Sequence, residues 1–202
     1  MKALIALSSV VLSTPTFAGD LVLAVTGPGG SAVVDAVVTV YPASGVPKGS
    51  IYQSSAPIVR QQNIKFIPGT LIVPVGATVG FPNFDRVRHH VYSFSKAARF
   101  ELKLYGKDQT RSYTFPVEGA VALGCNIHDT MRGFIKVVGT PYAAKTDTSG
   151  RVTITGLPAG RAKVLIWHPL LKAADNETAT GVTITAKGAV SRVVPLQLRV
   201  AS

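Results

Sequence analysis

Cysteine is nearly absent from this chain, because Cys125 is the only one among 202 residues, alongside two methionines and four histidines. A single cysteine excludes a disulfide bond within the chain. In an oxidising compartment an unpaired thiol is a liability unless it is buried, bonded to another chain or bound to a metal. The residues around Cys125 should therefore indicate which of these three explanations applies.

Other shortages exclude whole classes of function. The formal net charge is +11, from 21 Lys and Arg against 10 Asp and Glu, yet no two basic residues are adjacent in the chain. This dispersed charge, without a run of Lys or Arg, does not favour nucleic-acid binding. The Gly-x-Ser-x-Gly motif of serine hydrolases is missing. A dispersed basic surface is typical of electrostatic steering toward an acidic partner.

The first 18 residues have the features of an export signal. Lys2 precedes the apolar run ALIALSSVVLS, which is too short to span a bilayer, and TPTFA ends in a small-residue cleavage site. We expect cleavage near Ala18. Beyond this leader no stretch approaches eighteen unbroken apolar residues, so we expect an exported, periplasmic protein without a membrane anchor.

Nearly every later segment has the pattern of a β-strand, which predicts an all-β protein. IVRQQNIKFIP is expected to be one strand, and RFELKLYG and RSYTFPVEG alternate polar with apolar residues. Gly, Pro, Asn and Asp separate the segments. The best helix candidate, PLLKAADNE, is short. We expect one β domain over 51–139 and a second over 140–202. Strands in 19–50 either complete that second domain, which we favour, or pack independently on the first.

The cysteine lies in GCNIHDTM, where His128 follows it by three residues and Met131 by six. A loop this short can gather three side chains around one point if it joins adjacent strands, here AVALG and GFIKVV. Thiolate, thioether and imidazole together suit copper, in its form with two His, one Cys and a weak axial Met. A zinc site is less favoured, because zinc rarely uses Met. The second imidazole has to come from elsewhere, and His89 and His90 offer it from opposite faces of one strand.

PNFDRVRHHVYSF together with GCNIHDTM resembles the cupredoxins, the small blue copper proteins, and the loop spacing is that of amicyanin. The resemblance covers about residues 55–138 and implies a Greek-key β-sandwich with one type 1 copper. It implies His89, Cys125 and His128 as equatorial ligands, Met131 as the axial ligand and Asn83 as a brace. His90 occupies the position of the family's usual Asn and is a neighbour of the metal ligands, although the sequence leaves open which of His89 and His90 binds.

The whole chain resembles exported cupredoxin proteins described as methylamine-utilisation proteins, whose outer segments are similar to a smaller Ig-like or carboxypeptidase regulatory-like sandwich. The resemblance implies a one-electron carrier, not an enzyme, with an acidic redox partner such as a c-type cytochrome or dehydrogenase. Two alternatives remain open: a protein that handles copper without redox work, and a partner-binding β module in which copper is structural.

The remaining polar and aromatic residues are expected to be structural. We expect Asp85, Glu101 and Asp129 to be solvated carboxylates, and His168 to be a half-buried strand residue beside Trp167. The aromatic residues Tyr92, Phe94 and Tyr105 are expected in the core.

Overall fold

The computed structural model describes residues 18–46 and 56–200, and within them the chain is almost entirely β. The predicted signal segment lies outside these residues except for Ala18, which begins the first strand. Among the described residues no helix is long and apolar enough to cross a membrane. The sixteen strands are β1 Ala18–Thr26, β2 Val37–Pro42, β3 Arg60–Gln61, β4 Phe66–Ile67, β5 Thr70–Pro74, β6 Thr78–Pro82, β7 His89–Ser95, β8 Ala98–Tyr105, β9 Thr110–Thr114, β10 Gly119–Gly124, β11 Arg132–Val138, β12 Ala143–Lys145, β13 Arg151–Pro158, β14 Gly160–Trp167, β15 Glu177–Ile184 and β16 Ala189–Pro195.

The strands of the two chain ends form one sandwich, which we call the terminal sandwich. One sheet has the order β13-β1-β16 and the other the order β12-β2-β14-β15. β1 is antiparallel to β13 and parallel to β16, and β2 is antiparallel to β12 and β14. Alternate residues of β1 face inward and are buried, as period-two patterning dictates. The two sheets share one apolar core, which includes Leu21, Leu23, Val38, Ile154, Ile166 and Ile184.

Strands β3 to β11 form the other unit, which we call the central sandwich. Its main sheet has the order β5-β11-β10-β7-β8, and the short pairs β3-β4 and β6-β9 lie beside it. A separate core fills this unit, and both Cys125 and Met131 belong to it. Tyr105 is fully buried within it, and burial raises the pKa of Tyr105 to about 12, although a hydrogen bond from Gln61 opposes the rise. The predicted fold class, all-β with two sandwiches, is confirmed.

Three local expectations from the sequence are wrong. PLLKAADNE contains only the 3-10 turn Ala174–Asn176, since Asp175 has φ +51° and cannot continue a helix. IVRQQNIKFIP is not one strand but a hairpin of β3 and β4, which reverses at Asn63 and Ile64. Phe94 is 74% exposed instead of buried, because it lies on the outer face of the main sheet.

Candidate metal centre

Cys125 lies immediately after β10, and Met131 lies immediately before β11. These strands are antiparallel neighbours with Gly124 opposite Arg132, so the intervening loop joins two adjacent strands, as predicted. Cys125 is 3% exposed and Met131 is 1% exposed. The Met131 amide donates a hydrogen bond of 2.9 Å to the carbonyl of His128, which closes the loop. The fold thus buries a thiol and a thioether at the two ends of a loop that also carries an imidazole.

His89 supplies a second imidazole from the first position of β7, the strand on the other side of β10. Its Nδ1 lies 3.8 Å from the Cys125 Sγ, and the Nδ1 of His128 lies 3.7 Å from the same sulfur. The two imidazole rings are 5.1 Å apart at their centroids. The three donor atoms all lie within 4.8 Å of one another, a grouping that can hold a metal ion.

His90 points away from this group. Its Nε2 lies 2.8 Å from the Glu101 carboxylate on β8, and its ring packs near Tyr92. Adjacent strand residues face opposite sides of a sheet, and the pairing irregularity between His89 and Val91 keeps both rings buried on their own sides. Of the two histidines that the sequence left open, His89 is therefore the one that the structure brings to the sulfur.

Asn83 is fully buried and organises the segment that precedes His89. Its side-chain amide donates to the carbonyl oxygens of Val87 at 2.9 Å and Tyr105 at 3.1 Å, and its Oδ1 accepts from the Asp85 amide at 2.9 Å. The side chain therefore fixes the loop between β6 and β7 against β8. It holds the path of the backbone that delivers His89 to the group.

Both histidines of β7 are bonded to carboxylates that were expected to be solvated. Glu101 is 60% exposed, as expected, and also pairs with His90. Asp85 is not solvated, because it pairs with the His89 Nε2 at 2.8 Å and only 13% of its side chain is exposed. Burial raises the pKa of Asp85, but hydrogen bonds from the Ile64 amide, His89 and the Asn63 amide outweigh it and leave the pKa below its usual value. Asp129, in contrast, is exposed as expected.

Tyr92 packs against Gly124, the residue before Cys125, a contact that the sequence did not predict. Its ring lies across Gly124, so that a Cβ at residue 124 would be 2.7 Å from the Tyr92 Cζ. The pairing of Gly124 with Tyr92 across β10 and β7 brings them together. The absence of a side chain before Cys125 therefore makes room for the aromatic ring of Tyr92.

The donor set fits a soft, redox-active metal. One sulfur and two imidazole nitrogens converge in a buried position, and a methionine is buried at the end of the same loop. Thiolate and thioether ligands select copper among the common metals, whereas structural zinc sites use four Cys, His or carboxylate ligands. The fold and this site define an all-β protein with a Cys–His–His group suited to copper, in which Cys125 and His89 are buried and His128 is half-buried.

Comparison with solved structures finds partial similarity to copper proteins. A copper-containing nitrite reductase from Thermus scotoductus SA-01 has 26% identity and a TM-score of 0.40 over 43% of this chain, and the match spans only 23% of that enzyme. A variant of amicyanin in its reduced Cu(I) form at pH 4 has 26% identity and a TM-score of 0.40 over 50% of this chain and 98% of its own. A second amicyanin variant, also with Cu(I), has 27% identity and a TM-score of 0.39 over the same shares.

No protein-family profile matches the chain. Comparison with curated protein sequences likewise finds no match.

Proposed function

We propose that this protein is a mononuclear type 1 copper protein of the cupredoxin kind that carries single electrons. The observation that supports it most directly is the convergence of the donor atoms of His89, Cys125 and His128 within 4.8 Å of one another. One copper ion, cycling between Cu(I) and Cu(II), would supply the redox chemistry.

In this proposal each residue has a separate task. His89, Cys125 and His128 would hold the copper ion, and Met131 would serve as a further, weaker ligand. Asn83 holds the loop before His89, and His90 anchors the start of β7 to Glu101. Because these side chains come from strand ends and from a closed loop, their positions would change little between the two charge states of a bound copper ion. A rigid frame of this kind is what a protein contributes to electron transfer.

The proposed electron exit is His128. It is half-buried whereas His89 is fully buried, and Ile127 beside it is 48% exposed. Its ring therefore joins the buried sulfur to the protein surface. The net charge of +11 favours an acidic redox partner, such as a c-type cytochrome or a dehydrogenase, by electrostatic steering. We propose a carrier within such a system and not an enzyme.

We also propose export to the periplasm with cleavage near Ala18, followed by folding into two domains. The core around Cys125 lies within 51–139, and a separate core joins strands of 19–50 to those of 140–202. The first residue of the proposed mature chain, Gly19, follows Ala18 within β1. The intact mass of the secreted protein tests the cleavage position.

The decisive experiment is an absorption spectrum of the full-length protein loaded with Cu(II). We expect an intense visible band that gives a blue or green colour, because thiolate-to-Cu(II) charge transfer is characteristic of this site. Cys125→Ser should abolish the band while leaving the far-UV circular dichroism unchanged. Asp129→Asn, an exposed change in the same loop, is the matched control and should keep the colour.

The same spectrum, together with an assay of partner binding, distinguishes the alternatives. A colourless protein that holds Cu(I) stably in air would indicate copper handling without electron transfer. A protein whose partner binding persists in Cys125→Ser would indicate a binding module in which copper is structural. A protein that binds no copper at all would contradict every one of these functions.

A further inference from the structure

The Asp85 carboxylate connects His89 to a distant turn. Its Oδ2 lies 2.8 Å from the His89 Nε2 and also accepts the Ile64 amide at 3.0 Å, while its Oδ1 accepts the Asn63 amide at 2.7 Å. Both oxygens of the Asp85 carboxylate therefore form hydrogen bonds. Its position depends on a hairpin that lies about twenty residues earlier in the chain.

That hairpin has an unfavourable backbone for its sequence. Gln62 and Lys65 exchange two backbone hydrogen bonds around the central pair, and Asn63 and Ile64 both have φ +56°. Positive φ at both central residues is typical of type I′ turns, which favour Asn-Gly. Asn tolerates this conformation, but a β-branched Ile does not, and the cost is about 1–2 kcal/mol. The conformation aims two successive N–H groups at one carboxylate, as in an anion-binding nest.

The carboxylate in turn determines which ring nitrogen of His89 carries the proton. An ionised Asp only accepts hydrogen bonds, so the neutral His89 ring must donate through Nε2–H. The remaining nitrogen, Nδ1, then presents its lone pair, and this is the atom that lies 3.8 Å from the Cys125 sulfur. A carboxylate bonded to the outer nitrogen also strengthens the inner nitrogen as a ligand.

We propose that Asp85 is a positioning residue for the metal site, which fixes His89 with its Nδ1 lone pair toward Cys125, and that the Asn63–Ile64 turn fixes Asp85. The consequence for the metal rests on the proposed copper function, but the consequence for the imidazole does not. If copper binds, the negative charge of Asp85 beside His89 would favour Cu(II) over Cu(I). The turn would then affect the reduction potential through Asp85 and His89.

A purely structural role for Asp85 has a close internal comparison. Asp147, in the terminal sandwich, also organises a turn, because its Oδ1 accepts hydrogen bonds from the Ser149 amide, the Ser149 hydroxyl and the Arg151 amide. Asp147 contacts no histidine in the structure described. Asp147→Asn is therefore a matched control, which loses a turn-binding carboxylate without changing the metal site.

The first test uses the metal-free, full-length protein at pH 8 and needs no copper. Long-range ¹H–¹⁵N correlation should show His89 as the Nε2–H tautomer in the wild type, and a mixture of tautomers in Asp85→Asn. Asp147→Asn should keep the wild-type pattern. An Nδ1–H tautomer in the wild type would overturn the proposal, and this measurement does not depend on the folding of any variant.

The second test measures Cu(II) affinity and reduction potential. Loss of a group that orients a metal-binding histidine weakens metal binding about 10- to 100-fold. Asp85→Asn should therefore bind Cu(II) about 10- to 100-fold more weakly and have a higher potential, whereas Asp147→Asn should match the wild type in both. Unchanged affinity and potential in Asp85→Asn would refute the proposal. If the wild type binds no copper, the copper function fails, and the tautomer result still decides the role of Asp85.

Discussion

At the scale of single residues, the close approach of Tyr92 to Gly124, the residue before Cys125, leaves no room for a side chain. A methyl group at residue 124 would lie 2.7 Å from the Tyr92 Cζ and 2.8 Å from its hydroxyl oxygen. These atoms belong to the far end of a half-buried side chain, so the ring can move, but it would leave its place against Gly124.

We predict that Gly124→Ala destabilises the protein by about 1–3 kcal/mol, because extra volume in a packed region forces side chains to shift. The free energy of unfolding in urea measures this. Gly181→Ala on β15, where an added Cβ meets nothing within 4 Å, is the matched control and should be neutral or slightly stabilising. In a Tyr92→Ala background the cost of Gly124→Ala should largely disappear, and an undiminished cost would contradict the explanation.

A second residue-scale prediction concerns Ile64. Replacing it by Gly gives the Asn-Gly pair that type I′ turns favour and keeps the amide that Asp85 accepts. Relief of the positive φ outweighs the entropic cost of glycine, so we expect stabilisation by about 0.5–1 kcal/mol. Thermal unfolding of the metal-free protein is the measurement. A lower melting temperature would show that the 41% exposed Ile64 side chain contributes more than its backbone costs.

The residues that could be predicted are those whose geometry is local. Cys125 and His128 share one short loop, so their spacing alone brings them close together, and Met131 is buried at the end of the same loop. Asp85 could not be recognised in the same way, because its partners Asn63 and Ile64 meet it only after the chain reverses in a hairpin. The i, i+4 spacing of Asp85 and His89 was the one signal available, and in a loop that spacing has no fixed geometry.

At the scale of elements, the end of β14 carries the remaining histidine. His168 follows the strand and is half-buried, as expected. Burial lowers its pKa from the usual 6.5, although Asp35 and a hydrogen bond with the Val34 backbone oppose this. The Leu170 amide donates to its Nδ1 at 3.3 Å, which requires that nitrogen to be unprotonated. The fold therefore favours the neutral ring.

A lowered pKa in the folded state means that the unfolded chain takes up a proton first as pH falls. The contribution of His168 to stability should therefore be complete above about pH 6.5 and decline as pH falls below it. His168→Asn keeps an acceptor for Leu170 but does not titrate. Urea unfolding at pH 8 and pH 5 should show a larger loss for the wild type than for His168→Asn. Equal losses would contradict the prediction.

At this scale the sequence could predict that a segment forms a strand, but not where the strand begins and ends. Alternation along β8 and β13 is clear, since one face of each is buried against a core. The failures fall where backbone conformation overrides side-chain pattern. The hairpin at Asn63–Ile64 lacks Gly, and the 3-10 turn at Ala174–Asn176 contains two residues of positive φ in an otherwise helix-compatible sequence.

At the scale of the whole molecule, the two sandwiches touch along β11, the strand that leaves the Cys125 loop. Lys136 on β11, whose side chain is 8% exposed, forms an ion pair with Glu177 of the terminal sandwich. Phe134 packs edge-on against Trp167 at a centroid distance of 5.4 Å, and Tyr41 donates a hydrogen bond to Glu118. The main sheet of the central sandwich thus contacts the terminal sandwich through a nearly buried charge.

We predict that Glu177→Gln destabilises the protein by about 2–3 kcal/mol, because removing one partner leaves a nearly buried ammonium group unpaired. Chemical unfolding is the measurement. Asp35→Asn is the matched control, since its pair with Lys145 is 50% and 32% exposed, and we expect it to cost less than about 1 kcal/mol. The double variant Lys136→Met, Glu177→Leu should recover most of the loss, and a further decline would contradict a charge-based cause.

The all-β class was predictable at this scale because composition and turn residues report it directly. The contact between the sandwiches was not, since Lys136 looks like any outward strand residue until the partner surface is known. Likewise, the outer position of Phe94 depends on which face of the main sheet packs inward. Predicting such features requires knowing which segments pack against each other, and the periodicity of apolar residues does not give that information.

The parallel pairing of β1 with β16 ties the beginning of the described chain to its end. During synthesis the last strands emerge latest, so the sheet containing β1 has to wait for them, whereas all strands around Cys125 are available earlier. Closing so long a loop costs only slightly more entropy than closing a shorter one, but it delays the event. In refolding of the complete chain, the central sandwich should form first, because its strands lie closer together in the sequence than β1 and β16 do.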